Sequence, residues 1–168
     1  SLDLTTNDED GKPWDFNDPV KRIRAEALVR NKSAMLLIGS PMCTAFSQLR
    51  YLNFAKLRPE DMEKVVEHGV RHLEFCPLLY KIQMEQGLYF LHEHPAFATS
   101  WKEPCVMELL AAAGVSRVRA DQCQFGQQTI KGDPVKKPTG FMSNSPYLLD
   151  ALSKRCFGKH GLCTRPAG

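Results

Sequence analysis

The sequence predicts an α/β domain with a mainly parallel sheet and flanking helices, and three observations carry that reading. Short apolar runs at 35–38 and 88–92 are bounded by turn formers, as buried strands of a parallel sheet are, and 115–120 reads as a further strand. Segments with apolar residues at helical spacing alternate with those runs, and strand after helix after strand is the pattern of βαβ units. Two of the runs end in proline-containing turns that carry a reactive group, Cys43 in Gly39-Ser40-Pro41-Met42-Cys43 and Glu93 in Glu93-His94-Pro95. Open α/β sheets hold their ligands outside the carboxyl ends of their strands.

Taken in order, residues 2–6 read as the end of a strand, 7–11 as an acidic turn and 12–16 as a short aromatic segment. Asp18-Pro19 supplies a helix cap with proline at the first helical position. Val20, Ile23, Ala27 and Leu28 make the apolar side of that helix, which ends near Asn31. The run at 35–38 is the first complete strand, and Pro41 stops its ladder because it has no N–H to donate. Residues 44–56 have no clean period and read as a loop or broken helix. Pro59-Glu60-Asp61 opens the next helix, with acidic groups at its positive end. Met62, Val65, Val66, Val70 and Leu73 form its stripe, and it runs to about Gln86 with a kink or break at Pro77.

Gly87 closes that helix, and 88–92 is a strand. Pro104 starts a helix that Gly114 ends, 115–120 is a strand, and 127–137 is a polar loop. Residues 139–144 read as a strand at a sheet edge, and Ser145-Pro146 caps a last helix to about Arg155. The tail at 156–168 is rich in Gly and Cys and need not be regular. With no repeat, low-complexity stretch or second domain, 1–168 reads as one domain.

Composition narrows the function classes. The 168 residues are 43% hydrophobic and 24% charged with a formal net charge of +3, the profile of an ordinary soluble globular domain. That charge permits contact with nucleic acid without arguing for it. No apolar run approaches a membrane span and no secretory pattern opens the chain, so no membrane partner is expected. Six scattered cysteines in a chain with an ample core suggest a reducing compartment, nuclear or cytoplasmic, more than a disulfide framework. Oligomeric state is not legible.

Cys43 and Glu93, at the tips of neighbouring parallel strands, face one crevice. A cysteine there is a nucleophile when its thiolate is favoured. A buried carboxyl can act as an acid or hydrogen-bond donor near neutral pH. Thiol plus carboxyl is the pairing that adds a nucleophile across an electron-poor aromatic ring, the acid stabilising the charge pushed onto the ring nitrogen.

The stretch Gly39-Ser40-Pro41-Met42-Cys43-Thr44-Ala45-Phe46-Ser47 resembles the Gly-Gly-Pro-Pro-Cys-Gln-Gly-Phe-Ser motif of DNA cytosine-5 methyltransferases. His92-Glu93-His94-Pro95 stands where that family has Glu-Asn-Val, the helix with His72-Leu73-Glu74-Phe75 precedes it as a helix does there, and 109–126 resembles the family's next helix, strand and Tyr-Gly turn. The resemblance implies a class I methyltransferase-like (Rossmann-like) fold in which the first strand need not be present. It implies that Cys43 attacks carbon 6 of cytosine, that Glu93 contacts ring nitrogen 3, and that S-adenosylmethionine supplies the methyl group to DNA, with RNA left open. The target base would leave the helical stack. Asp15 falls where the family places an aspartate near the cofactor adenine, with Trp14 bordering that pocket, Asp3 near the ribose hydroxyls at a strand end, and Pro41 beside them. Ser47, Lys136 and Lys137 are the expected nucleic-acid contacts.

The sequence departs from the family at Met42 and Thr44 and lacks its Gln-x-Arg-x-Arg segment; residues 131–139 stand there instead. The family's Phe-x-Gly-x-Gly cofactor loop is absent and is expected before Leu2, the chain reading as truncated at its amino terminus or diverged. Two other functions fit the residues: an inactive methyltransferase-like module that binds nucleic acid or protein, and another cysteine-nucleophile enzyme using Cys43 with a nearby histidine. His92 and His94 read as structural, and Trp101 as a packing anchor. Cys156, His160 and Cys163 have zinc-like spacing but are only three local ligands, which Cys123 completes if the 121–126 turn folds back. Thiols without metal are the expectation.

Overall fold

The computed structural model describes residues 1–32, 34–47, 57–158 and 163–164. Its strands are β1 (Leu36–Gly39), β2 (Tyr89–Pro95), β3 (Ser116–Asp121) and β4 (Pro138–Ser143), and its helices are α1 (Pro19–Lys32), α2 (Pro59–Glu85), α3 (Pro104–Leu110) and α4 (Pro146–Leu152). The α/β class holds, but the sheet is mixed rather than mainly parallel. Its order is β1-β2-β4-β3; β1 and β2 pair in parallel, while β4 runs antiparallel to both β2 and β3. It follows that β1, β2 and β3 point the same way and β4 is inserted against them.

That insertion also corrects the edge assignment of 139–144. Five of the six β4 residues are buried, the pattern of an inner strand covered on both faces, and the sheet edges among the described residues are β1 and β3. The strand before α1 is not formed either. Residues 2–6 turn about Asp3, whose carboxylate accepts from the Thr5 amide at 2.8 Å and the Thr5 hydroxyl at 2.5 Å. A short polar side chain that bonds its neighbours' backbone favours a turn over a strand.

The apolar side expected for α1 faces the wrong way. Val20 is 50% and Ile23 68% exposed, while Lys21, Ala25 and Val29, one helical face, are buried. The Lys21 ammonium explains the rotation: it binds Asp8 at 3.1 Å and Asp10 at 2.6 Å, and Arg24 joins the same two carboxylates. A buried ammonium is tolerated when paired in this way. Helix α2 is not interrupted at Pro77, which is buried within it. Its first half is more exposed than expected, with Val66 38% exposed, and its second half buries Leu73, Phe75, Leu79, Tyr80 and Ile82.

Two apolar layers sandwich the sheet. On one face Phe90 and Met142 pack with Leu73 and Tyr80 of α2, Trp101, and Val106 and Leu109 of α3; on the other, Leu91, Ala120 and Phe141 pack with Leu149 of α4. Alternation along β2 therefore puts Phe90, His92 and His94 on the α2 side and Leu91 and Glu93 on the other. A third cluster seats α1 on α2 through Trp14, Ala25, Val29, Phe75, Leu79 and Ile82. No helix among the described residues is long and apolar enough to cross a membrane.

Candidate functional site

Strand β1 stops at Gly39, level with His92, while β2 continues to Pro95. Glu93 is thus inside a strand rather than beyond its tip, as the sequence suggested, yet it still stands beside the first residue past β1. The contact is direct: Ser40 Oγ donates to Glu93 Oε2 at 2.8 Å. The other oxygen, Oε1, is buried with no hydrogen-bond partner among the described residues. A carboxyl group so placed has an unused site for one more hydrogen bond.

Cys43, half-buried, lies three residues beyond Ser40, at most about 11 Å of extended chain from the Ser40–Glu93 contact. The turn that carries it is fixed at several points. Phe46 N and Ser47 N donate to the Cys43 carbonyl at 3.0 and 2.9 Å, and Thr99 N donates to the Phe46 carbonyl at 3.0 Å. Ala45 and Phe46 are buried, and Ala45 Cβ lies 2.7 Å from where a β-carbon on Gly69 would fall, so the glycine lets the turn settle on α2. Ser47 therefore sits directly after the thiol turn. The expected loop at 44–56 lies outside the described residues from 48 onward.

Behind the turn stand two buried histidines. Their rings stack at 5.8 Å and Trp101 meets both edge-on. Nδ1 of His92 pairs with Tyr80 Oη at 3.1 Å and Nδ1 of His94 with Ser100 Oγ at 2.6 Å. The carbonyls of Pro41 and Met42 face the His94 ring, but they draw on it without well-aligned hydrogen bonds, since Nε2 has no partner of good geometry. Burial, then His94 and Arg117, push the His92 imidazole down to about 3. Burial pushes His94 down to about 4, against the pull of the Pro41 and Met42 carbonyls.

Both histidines are structural supports of the crevice, as their sequence context suggested, and they have a measurable consequence. The unfolded chain protonates them near the ordinary histidine value of 6.5 and the fold only well below it. Between those values the unfolded state binds more protons, so stability is full above pH 6.5 and falls as pH drops below it. The slope is at most about 1.4 kcal/mol per pH unit for each ring. The melting temperature should fall steadily from about pH 7 to about pH 5, and less steeply in His94→Gln; a flat profile in the parent protein would contradict the burial of neutral imidazoles.

A cavity of about 630 Å³ opens on the amino-terminal side of the same turn. Asp3, Trp14, Ser40, Pro41, His72 and Phe75 are among its walls, which are mostly apolar and aromatic. Volume and lining are those of a small-molecule site with a few polar groups for orientation. Hydroxyls of Ser1 and Thr5 hold the Asp3 carboxyl down to about 2, so the wall carries a fixed negative charge. The Nε2 atom of His72 is buried without a hydrogen-bond partner among the described residues, a group that sequence reasoning did not single out. Of the four expected cofactor contacts, Asp3, Trp14 and Pro41 line the cavity. Asp15 does not; its carboxylate caps the next turn by accepting from the backbone and side chain of Asn17, both at 2.9 Å.

Lys136 and Lys137 are exposed and immediately precede β4, which starts at the sheet end where β2 and β3 finish. The Lys137 charge reaches His94 and the Lys136 charge reaches Asp121. The thiol turn, Glu93 and both lysines thus share one end of the sheet. At its far side Cys123, Cys156 and Cys163 come together, as the folding back of the 121–126 turn would require; His160, the remaining residue of that spacing, lies outside the described residues. Comparison of the chain with protein-family models, with curated proteins and with solved structures gives no match.

Proposed function

We propose that this chain carries the catalytic crevice of a cytosine-5 methyltransferase acting on DNA, using S-adenosylmethionine and a covalent adduct at Cys43. The observation that carries the reading is the Ser40–Glu93 hydrogen bond, which ties the Gly-Ser-Pro-Met-Cys turn to the carboxyl group of the neighbouring strand. The chemistry requires that one heterocycle meet the sulfur of Cys43 on one side and the acid of Glu93 on the other.

The Cys43 thiolate adds to carbon 6 of the base, and the ring π electrons move towards nitrogen 3. Glu93 holds a proton at nitrogen 3, so the electron pair is not driven onto an uncompensated ring, and carbon 5 becomes nucleophilic. Ser40 fixes the acid in place, and Phe46, buried and tied to Thr99, holds the turn that presents the sulfur. Loss of the carbon 5 hydrogen as a proton to solvent, return of the nitrogen 3 proton to Glu93 and departure of Cys43 as a thiolate restore the aromatic ring. The cavity fits the methyl donor by volume, by its aromatic walls and by the Asp3 charge; bound there, the donor supplies an electrophilic methyl group. Lys136 and Lys137 lie where a nucleic-acid backbone entering the crevice offers phosphates.

The alternative of a different cysteine enzyme needs a base for the thiol. His94, the histidine adjoining the turn, is buried and pairs through Nδ1 with Ser100. Incubation with S-adenosylmethionine and a duplex containing 5-fluorocytosine tests the proposal. It should give a denaturant-resistant protein–DNA complex whose linkage maps to Cys43. Protein that binds the donor and the duplex but forms no such complex would overturn the reading in favour of an inactive binding module.

A further inference from the structure

Cys156 and Cys163, close together in the sequence, converge with the distant Cys123 at the carboxyl end of β3. Cys123 lies in the 3₁₀ turn Gln122–Phe125 that follows the strand, Cys156 lies beyond α4, and Cys163 is in the tail. Their sulfur atoms all lie within 4.8 Å of one another, with Cys156 and Cys163 at 4.0 Å. Cys123 is fully buried and Cys156 is 4% exposed.

This meeting is built rather than incidental. Asp121 N donates to the Lys154 carbonyl at 3.0 Å, and Asp121 Oδ2 accepts from Cys156 N at 2.8 Å and from Arg155 Nε at 3.1 Å. One buried carboxylate thus pins the segment after α4 to the end of β3. A second layer surrounds the sulfurs. Gln124 Nε2 reaches Cys163 Sγ at 3.5 Å, Cys123 Sγ at 3.9 Å and Thr164 Oγ1 at 3.4 Å. Such outer-layer contacts orient metal-bound cysteines.

We propose that Cys123, Cys156 and Cys163 bind a zinc ion that clamps the tail to the end of β3. Around tetrahedral zinc, with Zn–S near 2.3 Å, thiolate sulfurs stand about 3.8 Å apart, so the observed cluster needs only a small contraction. Each thiol gives up its proton on binding, and the fourth position is taken by water or a further donor. A disulfide would join only two of the three sulfurs and leave the third buried beside it.

The test uses the full chain purified under reducing conditions. One zinc ion per chain should survive dialysis, and replacement by Co²⁺ should give thiolate-to-cobalt charge-transfer absorption in the near ultraviolet. Cys123→Ser, Cys156→Ser and Cys163→Ser should each weaken metal binding at least about tenfold, while Cys105→Ser, on α3, leaves it unchanged. If the serine variants fail to fold, the cobalt spectrum of the unaltered chain decides, because it reads sulfur coordination directly. A spectrum without charge-transfer bands, metal retained by Cys123→Ser, or a 156–163 disulfide in place of bound metal would each overturn the proposal.

Discussion

Replacing Cys43 by serine should lower methyl transfer to cytosine by at least about 10³-fold, a loss of about 4 kcal/mol of transition-state stabilisation. A serine hydroxyl at this position has almost the same size but is scarcely ionised near neutral pH, so addition to carbon 6 fails while the turn is preserved. The turn is held by its backbone and by Phe46, not by the sulfur, so stability should change little. Glu93→Gln should cost about 10² to 10³-fold, because an amide keeps the shape and can still bond Ser40 but supplies a weaker acid at nitrogen 3. Initial-rate assays on a cytosine-containing duplex, with melting curves as the control, separate the two losses. Activity within tenfold of the parent in Cys43→Ser would remove the nucleophile from the account.

Gly39→Ala should destabilise the protein by about 3 kcal/mol, the upper range for overpacking a well-ordered core. A β-carbon there would overlap Tyr80 Oη and lie 3.0 Å from Cζ and 3.3 Å from Cε1. The Tyr80 ring cannot easily withdraw, since it stacks on Phe90 at 4.6 Å and its hydroxyl holds His92. The melting temperature should drop by about 6–12 °C for a chain of this length. Removing the obstructing hydroxyl in Gly39→Ala/Tyr80→Phe should recover part of the loss, a coupling that a double-mutant cycle reads directly. Additive effects would place the alanine methyl group elsewhere than against Tyr80.

These two positions also show what the sequence could and could not tell. The run ending at Gly39 reads as a strand because it is short, apolar and closed by Gly-Ser-Pro, all local signals, and the carboxyl of residue 93 falls beside it because both strands obey the same rule. The sheet direction was not legible, because a parallel pair and an inserted antiparallel strand can share the same buried pattern; β4 reads as apolar either way. The wrong face of α1 has a different origin. Val20 and Ile23 suggest burial by hydropathy alone, but Asp8 and Asp10, thirteen and eleven residues upstream of Lys21, draw the lysine face inward. Hydropathy periodicity cannot weigh an ion pair against a methyl group.

Long-range ties were the least visible. Cys123 meets Cys156 because Asp121 accepts the Cys156 amide across a separation of 35 residues. The sequence offered the cysteine and histidine spacing as a hint and gave no sign of the carboxylate that completes the geometry. The unpartnered Oε1 of Glu93 and Nε2 of His72 were likewise beyond a reading of residue types, since they follow from which neighbours fall short in three dimensions.

Whether one cytosine ring is held between the sulfur of Cys43 and the carboxyl of Glu93 is read most directly by hydrogen exchange at carbon 5, which needs no methyl donor. Reversible addition at carbon 6 makes carbon 5 take up a proton from solvent, so a duplex in heavy water should gain deuterium at that position, detectable by mass spectrometry of the released nucleoside. Exchange is expected with the parent chain, none above background with Cys43→Ser, and a reduced rate with Glu93→Gln. Duplex bound by the parent chain that keeps all its carbon 5 hydrogen would contradict it.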